Sequence, residues 1–498
     1  ILVAFLVLAV HSHGLSFAAL ASHARAMSPG ARAAVFLLAL IGFGSKAGVV
    51  PFHVWLPKAH PEAPSPVSAL MSGAMVALGV YGIVLVGDVV LGGGPVWWWL
   101  VVLALGALSA LFGSLHAANS TDLKRLLAYS TTDNVGLALL ALGASGLFEA
   151  TGHDRLGALG LVAALVLLVN HAMFKGALFL TVGSVQVSTG TRDLDELGGV
   201  LRRMPQTGAM FLLAAASISA LPPFNGFVGE WLLFQSLLHG VHLGSTADDI
   251  AIPVAVAALA LTAGLTVVAF VKAAGVGFLG RPRSPGARAA TEVAPSMRVG
   301  AGLLVAMCVG AGVAPMALLP AVERAVRAAL PGTGSAPLVR GVAFQLVGVR
   351  GAVAPTLLAA SVVGAVALVA ALRSAATRRR AVRVAEAWGC GRELVTARMQ
   401  YTATSFAEPV QRVFDDVLRP VRDVDVSHAV ESRYVIESMT YRSQVEDRIE
   451  GSLYVPAIAA VRRWGGYARR LQPGSVHRYL AYGLSALVVT LVAVAVLG

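Results

Sequence analysis

The chain has 498 residues, 57% apolar and only 13% charged, with a mean hydropathy of +0.75. Run after run of about 20 apolar residues excludes a soluble core and reads as an all-α polytopic membrane protein. The 38 Lys and Arg against 26 Asp and Glu leave a net charge of +12, which the positive-inside bias of membrane loops explains better than nucleic-acid binding does.

Two cysteines, Cys308 and Cys390, give no disulfide framework and no CxxC or ferredoxin spacing for an iron–sulfur cluster. The 12 histidines are scattered, without HExxH or paired-ligand spacing. The expectation is therefore a chain with no cofactor, no metal and no catalytic redox centre of its own.

The chain opens with ILVAFLVLAV, half a span ahead of the polar patch His11 to Arg25. It reads as the interior of an earlier helix; a cleaved signal peptide would leave a mature end inside hydrocarbon. Hydrophobic segments then fall at 31–57, 63–90, 95–118, 125–147, 156–188, 206–240, 249–279, 298–329, 350–373 and 475–498, roughly ten complete spans.

Cations alternate between the connections. Lys58, Lys124 with Arg125, Arg192 with Arg202 and Arg203, Arg281, Arg283 and Arg288 mark one side, joined by Arg373, Arg378, Arg379, Arg380 and Arg383. The opposite loops hold Asp88, Asp154 with Arg155, and Asp248 with Asp249, so the first set is cytoplasmic. The loop 323–350 departs from this pattern with Arg324, Arg327, Arg340 and Arg350 on the outer side.

Two spans carry break signals. IGFGSKAGVVPFHVWLP places Gly42, Gly44, Gly48 and Pro51 around Lys46, and SISALPPFNGFVGEWLL places Pro222, Pro223 and Gly226 before Glu230. Proline removes an intrahelical hydrogen bond and glycine loosens the helix, so both spans should be discontinuous. Paired interrupted helices point to inverted repeats of five transmembrane helices. The expected division is an incomplete first repeat at 1–90, a second repeat at 91–279, additional transmembrane helices at 280–373, a cytoplasmic-side amphipathic lateral segment at 374–473 and a terminal anchor at 474–498. In the lateral segment, SFAEPVQRVFDDVLRPV alternates apolar and charged residues at helical spacing.

Lys46, Asp133, Lys175, Glu230 and Lys272 are the ionisable side chains well inside predicted spans. A lysine at mid-span costs a few kcal/mol in lipid, so it should face the protein interior or water and is a functional candidate by default. Alternating acids and bases at that depth are what a proton path needs; static pairing is the competing account, and for Lys272 snorkelling to the interface is as good a reading as relay. His171 precedes Lys175 by four residues, which places both on one helix face. His53 and His60, among five prolines, are either proton relays or neutral histidines bonded to carbonyls. Lys124 is either an interfacial anchor or part of proton entry, and the hydroxyls of the TTDN cluster are placed to hold water beside Asp133.

Four segments together carry a resemblance: GFGSKAGVVPFHVWLPKAHPEAPSPVSALMS, TDLKRLLAYSTTDNVG, NHAMFKGALFLTVGSV and ALPPFNGFVGEWLLFQSLL. From about residue 31 to the end, the chain resembles the proton-translocating antiporter-like subunits shared by respiratory complex I, Mrp antiporters and membrane-bound hydrogenases. The resemblance implies proton-transfer roles for Lys46, Lys175 and Glu230, and no Asp or Glu precedes Lys46 to act as its usual partner. Asp133-Asn134, GTRDLDELGGVLRRMP, Glu230-Trp231 and RMQYTATSFAEPV look closest to the large antiporter-like subunit of formate hydrogenlyase and hydrogenase-4 complexes. That likeness implies other integral membrane subunits as partners, a hydrogenase-like or dehydrogenase-like peripheral arm in whose subunits any nickel–iron and iron–sulfur centres would lie, a bacterial or archaeal cell membrane location, and a long lateral helix followed by an anchoring helix. The span 64–90 departs from some relatives in having Ser72 and Ala77 where they place a titratable group.

The function these features imply is redox-driven proton translocation through Lys46, Lys175 with His171, Glu230 and Asp133. An autonomous cation/proton antiporter and a membrane scaffold are the alternatives.

Overall fold

The fold is that of a computed structural model, which describes residues 1–12, 14–241, 246–331, 338–339, 344–346, 352–378, 388–391, 395–429, 432–469, 472 and 474–497. The expectations resting on Arg340, Arg350, Arg379, Arg380 and Arg383, and on the side chain of Asp248, lie outside the described residues. The chain divides into two units, Ile1–Val445 and Glu446–Gly498.

In the first unit, helix Leu123–Ala150 is the axis, with nearly every residue buried. It starts because Asp122 caps it, its Oδ1 accepting from the Arg125 backbone N–H at 3.0 Å. Its neighbour, helix Val96–Asn119, lies so close that the two backbones touch. A Cβ on Gly113 would stand 2.5 Å from the backbone nitrogen of Asp133, and one on Gly136 2.4 Å from that of Ala110. Lipid tails are as apolar as leucine, so helices in a bilayer gain most where small residues let main chains pack this tightly. Helix Asp154–Thr189 packs along the other side of the axis, with Gly157 and Gly160 against Ser145.

Both expected breaks are present. Helix Pro29–Ala47 ends on Gly48 in the left-handed region (φ 73), where a Cβ would stand 2.0 Å from the Leu56 side chain. The chain then turns through a loop before helix Leu56–Glu62. That loop is held by the Val50 N–H on Ser109 Oγ (3.0 Å) and the Trp55 indole N–H on the Ser45 carbonyl (2.9 Å). The second break separates helix Pro205–Ile218 from helix Asn225–His239. Here Asn170 Nδ2 donates to the Asn225 carbonyl (2.7 Å) and Asn225 Nδ2 to Asn170 Oδ1 (3.2 Å). Buried non-helical backbone persists only where such groups satisfy it.

Eight helices among the described residues are long and apolar enough to cross a membrane. The predicted spans 125–147 and 206–240 correspond to helix 123–150 and the broken pair 205–239, which lie outside those eight.

Two expectations are corrected. The segment 298–329 is not one span: helix Pro295–Val313 stops before Pro315, and Leu319–Ala329 is a separate amphipathic helix burying Leu319, Val322 and Val326. Its polar face, with Arg324 and Arg327, is what the apolar average over that window concealed. Nor is 374–473 one long lateral helix. Within the first unit it contains a helix, Ala403–Val413, then an antiparallel hairpin of strands Val421–Ala429 and Ser432–Gln444. The β-branched and alternating residues of 421–444 favour strands over a helix.

The 403–413 helix buries Ala403, Ala407 and Gln411, the amphipathic pattern predicted for that stretch. Asp195 accepts from the Ala403 N–H (2.5 Å) and Thr404 Oγ1 (2.8 Å) at its first turn. The second unit consists of a π-helical turn Glu450–Tyr454, helix Val455–Arg469 and the apolar helix Val476–Leu497.

Candidate functional site

Helix 154–189 presents His171, Lys175 and Phe179 at four-residue intervals, so the three share one face. Lys175 is fully buried, and its ammonium donates to the Leu127 carbonyl (2.7 Å) and to Ser130 Oγ in a short contact. Both partners belong to the first half of the axial helix. His60 stacks on Phe179, centroids 4.8 Å apart, and lies within the field of both Lys175 and Lys124.

Lys124 starts the same axial helix, is buried, and donates to the Ala63 carbonyl at 2.9 Å. It lines a cavity of about 710 Å³ with Glu62, Ser65, Gln186 and Arg192. Arg192 in turn forms an ion pair with Asp122, the helix cap. On the far side of Lys175, Asp133 is fully buried; its Oδ2 accepts from Thr266 Oγ1 at 2.9 Å. Glu230 is half-buried one turn into helix 225–239. Lys124, the Lys175 ammonium at Leu127 and Ser130, and Asp133 thus form a file along the axial helix, with His60 stacked on Phe179 and His171 one turn before Lys175.

Among these residues and their neighbours, both ring nitrogens of His60 and His171, Asp133 Oδ1 and Thr132 Oγ1 are buried with no hydrogen-bond partner from the protein.

The remaining sequence candidates lie elsewhere. Lys46 is exposed on the perimeter of helix 29–47 and does not join the file. His53 is buried edge-to-face against Phe112, centroids 4.6 Å apart. Lys272 does not snorkel: it is fully buried and donates to the carbonyls of Ala118 (2.6 Å) and Ser120 (2.7 Å) at the end of helix 96–119. A cation there also complements the negative end of the helix dipole.

Sequence reasoning missed Ser130 and Thr266. Thr262 and Thr266, four residues apart inside an apolar span, were the available signal for the second. Nothing in the sequence pairs Ser130 with a lysine 45 positions away. No group of three or more His, Cys, Asp or Glu among the described residues could hold a metal ion.

A polytopic helix bundle with two interrupted helices and a buried file of acids and bases defines an antiporter-like membrane subunit. The family described as NADH:quinone oxidoreductase/Mrp antiporter, TM, matches residues 1–245. An uncharacterized protein of Mycobacterium tuberculosis (strain H37Rv) is 50% identical over 494 residues, 99% of this chain and 76% of the relative. Hydrogenase-4 component B of Escherichia coli (strain K12) is 38% identical over 501 residues, 100% of this chain and 74% of the relative. The chain belongs to this antiporter-like membrane subunit family. Among solved structures, the archaeal membrane-bound sulfane sulfur reductase has a chain of the same fold, with TM-score 0.75 and 23% identity over 99% of this chain and 74% of that one.

Proposed function

We propose that this chain is the proton-translocating membrane subunit of a complex I-like or membrane-bound hydrogenase/formate hydrogenlyase-type complex, in which redox chemistry in a peripheral arm drives proton transport. The observation that carries the reading is the environment of Lys175. Its two direct partners are a carbonyl and a hydroxyl, both neutral, with bases on one side and carboxyl groups on the other. An ammonium bound by a direct carboxylate partner would be locked as an ion pair; one bound by neutral groups is free to give up its proton.

In this reading, protons enter past the cavity at Lys124, pass by His60 to Lys175 and His171, and leave through Asp133 and Glu230. Waters at the unpartnered polar atoms supply the intervening links. Lys46, outside this file, is assigned its role by resemblance to the family. The matching breaks at 48–55 and 219–224 support the inverted-repeat organisation. The likeness to hydrogenase-4 component B supports a redox arm as the driving partner.

The test is Lys175→Ala in the intact complex. Coupled proton translocation is abolished while part of the redox activity in the peripheral arm persists. Undiminished translocation by that variant overturns the assignment.

A further inference from the structure

Helix Val455–Arg469 is amphipathic, yet none of its residues is buried. At 3.6 residues per turn, Val461 and Trp464 lie together on one side, Arg462, Arg463 and Arg469 each fall about 110–130° around the helix from the middle of that pair, and Ile458 and Tyr467 border the arginine side. The apolar members are exposed, Val461 by 66%, Trp464 by 71% and Tyr467 by 64%. The helix contains three arginines and no Asp or Glu. Helix 403–413 is the instructive contrast: it is also amphipathic, but its apolar face is already covered by this chain's own bundle.

We propose that helix 455–469 lies in the membrane interface and binds the headgroups of anionic phospholipids through Arg462, Arg463 and Arg469, with Trp464 and Val461 among the acyl chains. Three observations select a lipid surface as the occupant. The linker 470–475 spans at most about 20 Å, so the helix cannot leave the neighbourhood of the membrane that helix Val476–Leu497 crosses. Its charge is of one sign only, which complements an anionic leaflet. Trp and Tyr beside an apolar stripe are the side chains that settle at headgroup depth. The Gly465-Gly466 pair weakens the helix on its own, so an apolar surface to lie on stabilises it.

The test uses the full chain in nanodiscs of phosphatidylcholine, alone or mixed with phosphatidylglycerol. Cys308→Ser and Cys390→Ser remove the native thiols, and a spin label is placed through Val461→Cys or, on the polar side, Gly466→Cys. In mixed discs the label at 461 becomes accessible to dioxygen and shielded from a water-soluble nickel chelate, while the label at 466 stays chelate-accessible. The ratio of embedded to exposed label at 461 falls about fivefold for each arginine changed to glutamine. The comparison of lipids needs no arginine variant, so a poorly folding variant leaves the test intact.

Three outcomes overturn the proposal. One is equal chelate access at 461 in both lipids. Another is shielding indifferent to phosphatidylglycerol and to the arginines, which would mean apolar insertion without headgroup recognition. The third is shielding that appears only in the assembled complex whatever the lipid, which would assign this face to a protein partner.

Discussion

Lys175 and Ser130 meet across helices 154–189 and 123–150, the ammonium donating to a hydroxyl oxygen. A serine hydroxyl both accepts and donates, so the same pair persists when the lysine is neutral, with Ser130 then donating to the amine. Lys272 is held by two backbone carbonyls, which only accept. Both amines can keep donating to carbonyls when neutral, but only at Lys175 can a partner turn from acceptor to donor.

Ser130→Ala removes a hydrogen bond to a charged group, worth about 1.5–3 kcal/mol, and leaves the amine with the Leu127 carbonyl alone. The expected result is a proton translocation rate lowered by about tenfold or more at unchanged redox turnover capacity. Ser130→Thr, which keeps the hydroxyl, restores most of it. Proton uptake into inverted membrane vesicles measures both.

Lys272→Met acts on stability instead. It strands the buried carbonyl of Ala118 at a cost of about 1–3 kcal/mol, and removes the partner of the part-buried Ser120 carbonyl at a smaller one. The melting temperature in detergent drops, while protons moved per electron by the folded fraction stay at the wild-type value. A lowered stoichiometry would place Lys272 in the path.

Gly136→Val forces a side chain into a space where a Cβ alone stands 2.4 Å from the Ala110 backbone. The two helices separate, at a cost of several kcal/mol or more, since the obstacle is main chain rather than a flexible side chain. Thermal unfolding and protease resistance report the loss. The mild counterpart, Gly275→Ala, faces open space and leaves both unchanged.

Asp193, in the loop that follows helix 154–189, has its carboxyl pushed above the usual range, first by burial and then by Asp195, Glu196 and Asp122. The backbone N–H of Asp195 opposes the shift in part. A raised folded-state value means the unfolded chain ionises first as pH rises. The contribution of this group to stability is therefore whole below the ordinary carboxylate range and lost as pH climbs through the raised value. Asp193→Asn keeps an acceptor for that N–H and removes the ionisation. Its melting temperature should equal or exceed wild type at pH 7, with the gain fading toward pH 4; a gain that grows on acidification refutes the account.

The paired acids and bases were legible because a charge in an apolar run is costly wherever it falls, and His171 and Lys175 share a face by helical arithmetic alone. The two interruptions were legible from Gly48, Pro51, Pro222 and Pro223, whose backbone chemistry acts locally. The hairpin 421–444 was not, because a charged, mixed segment there satisfied a helical period over SFAEPVQRVFDDVLRPV and masked the β-branched run after it. Helix 319–329 was hidden by averaging over a window that also held helix 295–313.

Sequence alone therefore determined what each residue costs in hydrocarbon: the spans, the breaks, and which ionisable groups need an explanation. Which of those groups meet was decided by the tertiary structure, because the contacts run between helices. Glycines 113 and 136 bring the axial helix against its neighbour, Leu127 and Ser130 receive Lys175 from 45 to 48 positions away, and Thr266 reaches Asp133 across 133. The same packing buried Lys272 against the carbonyls of Ala118 and Ser120 and left Lys46 on the perimeter, distinctions that hydropathy cannot draw because it weighs every buried charge alike.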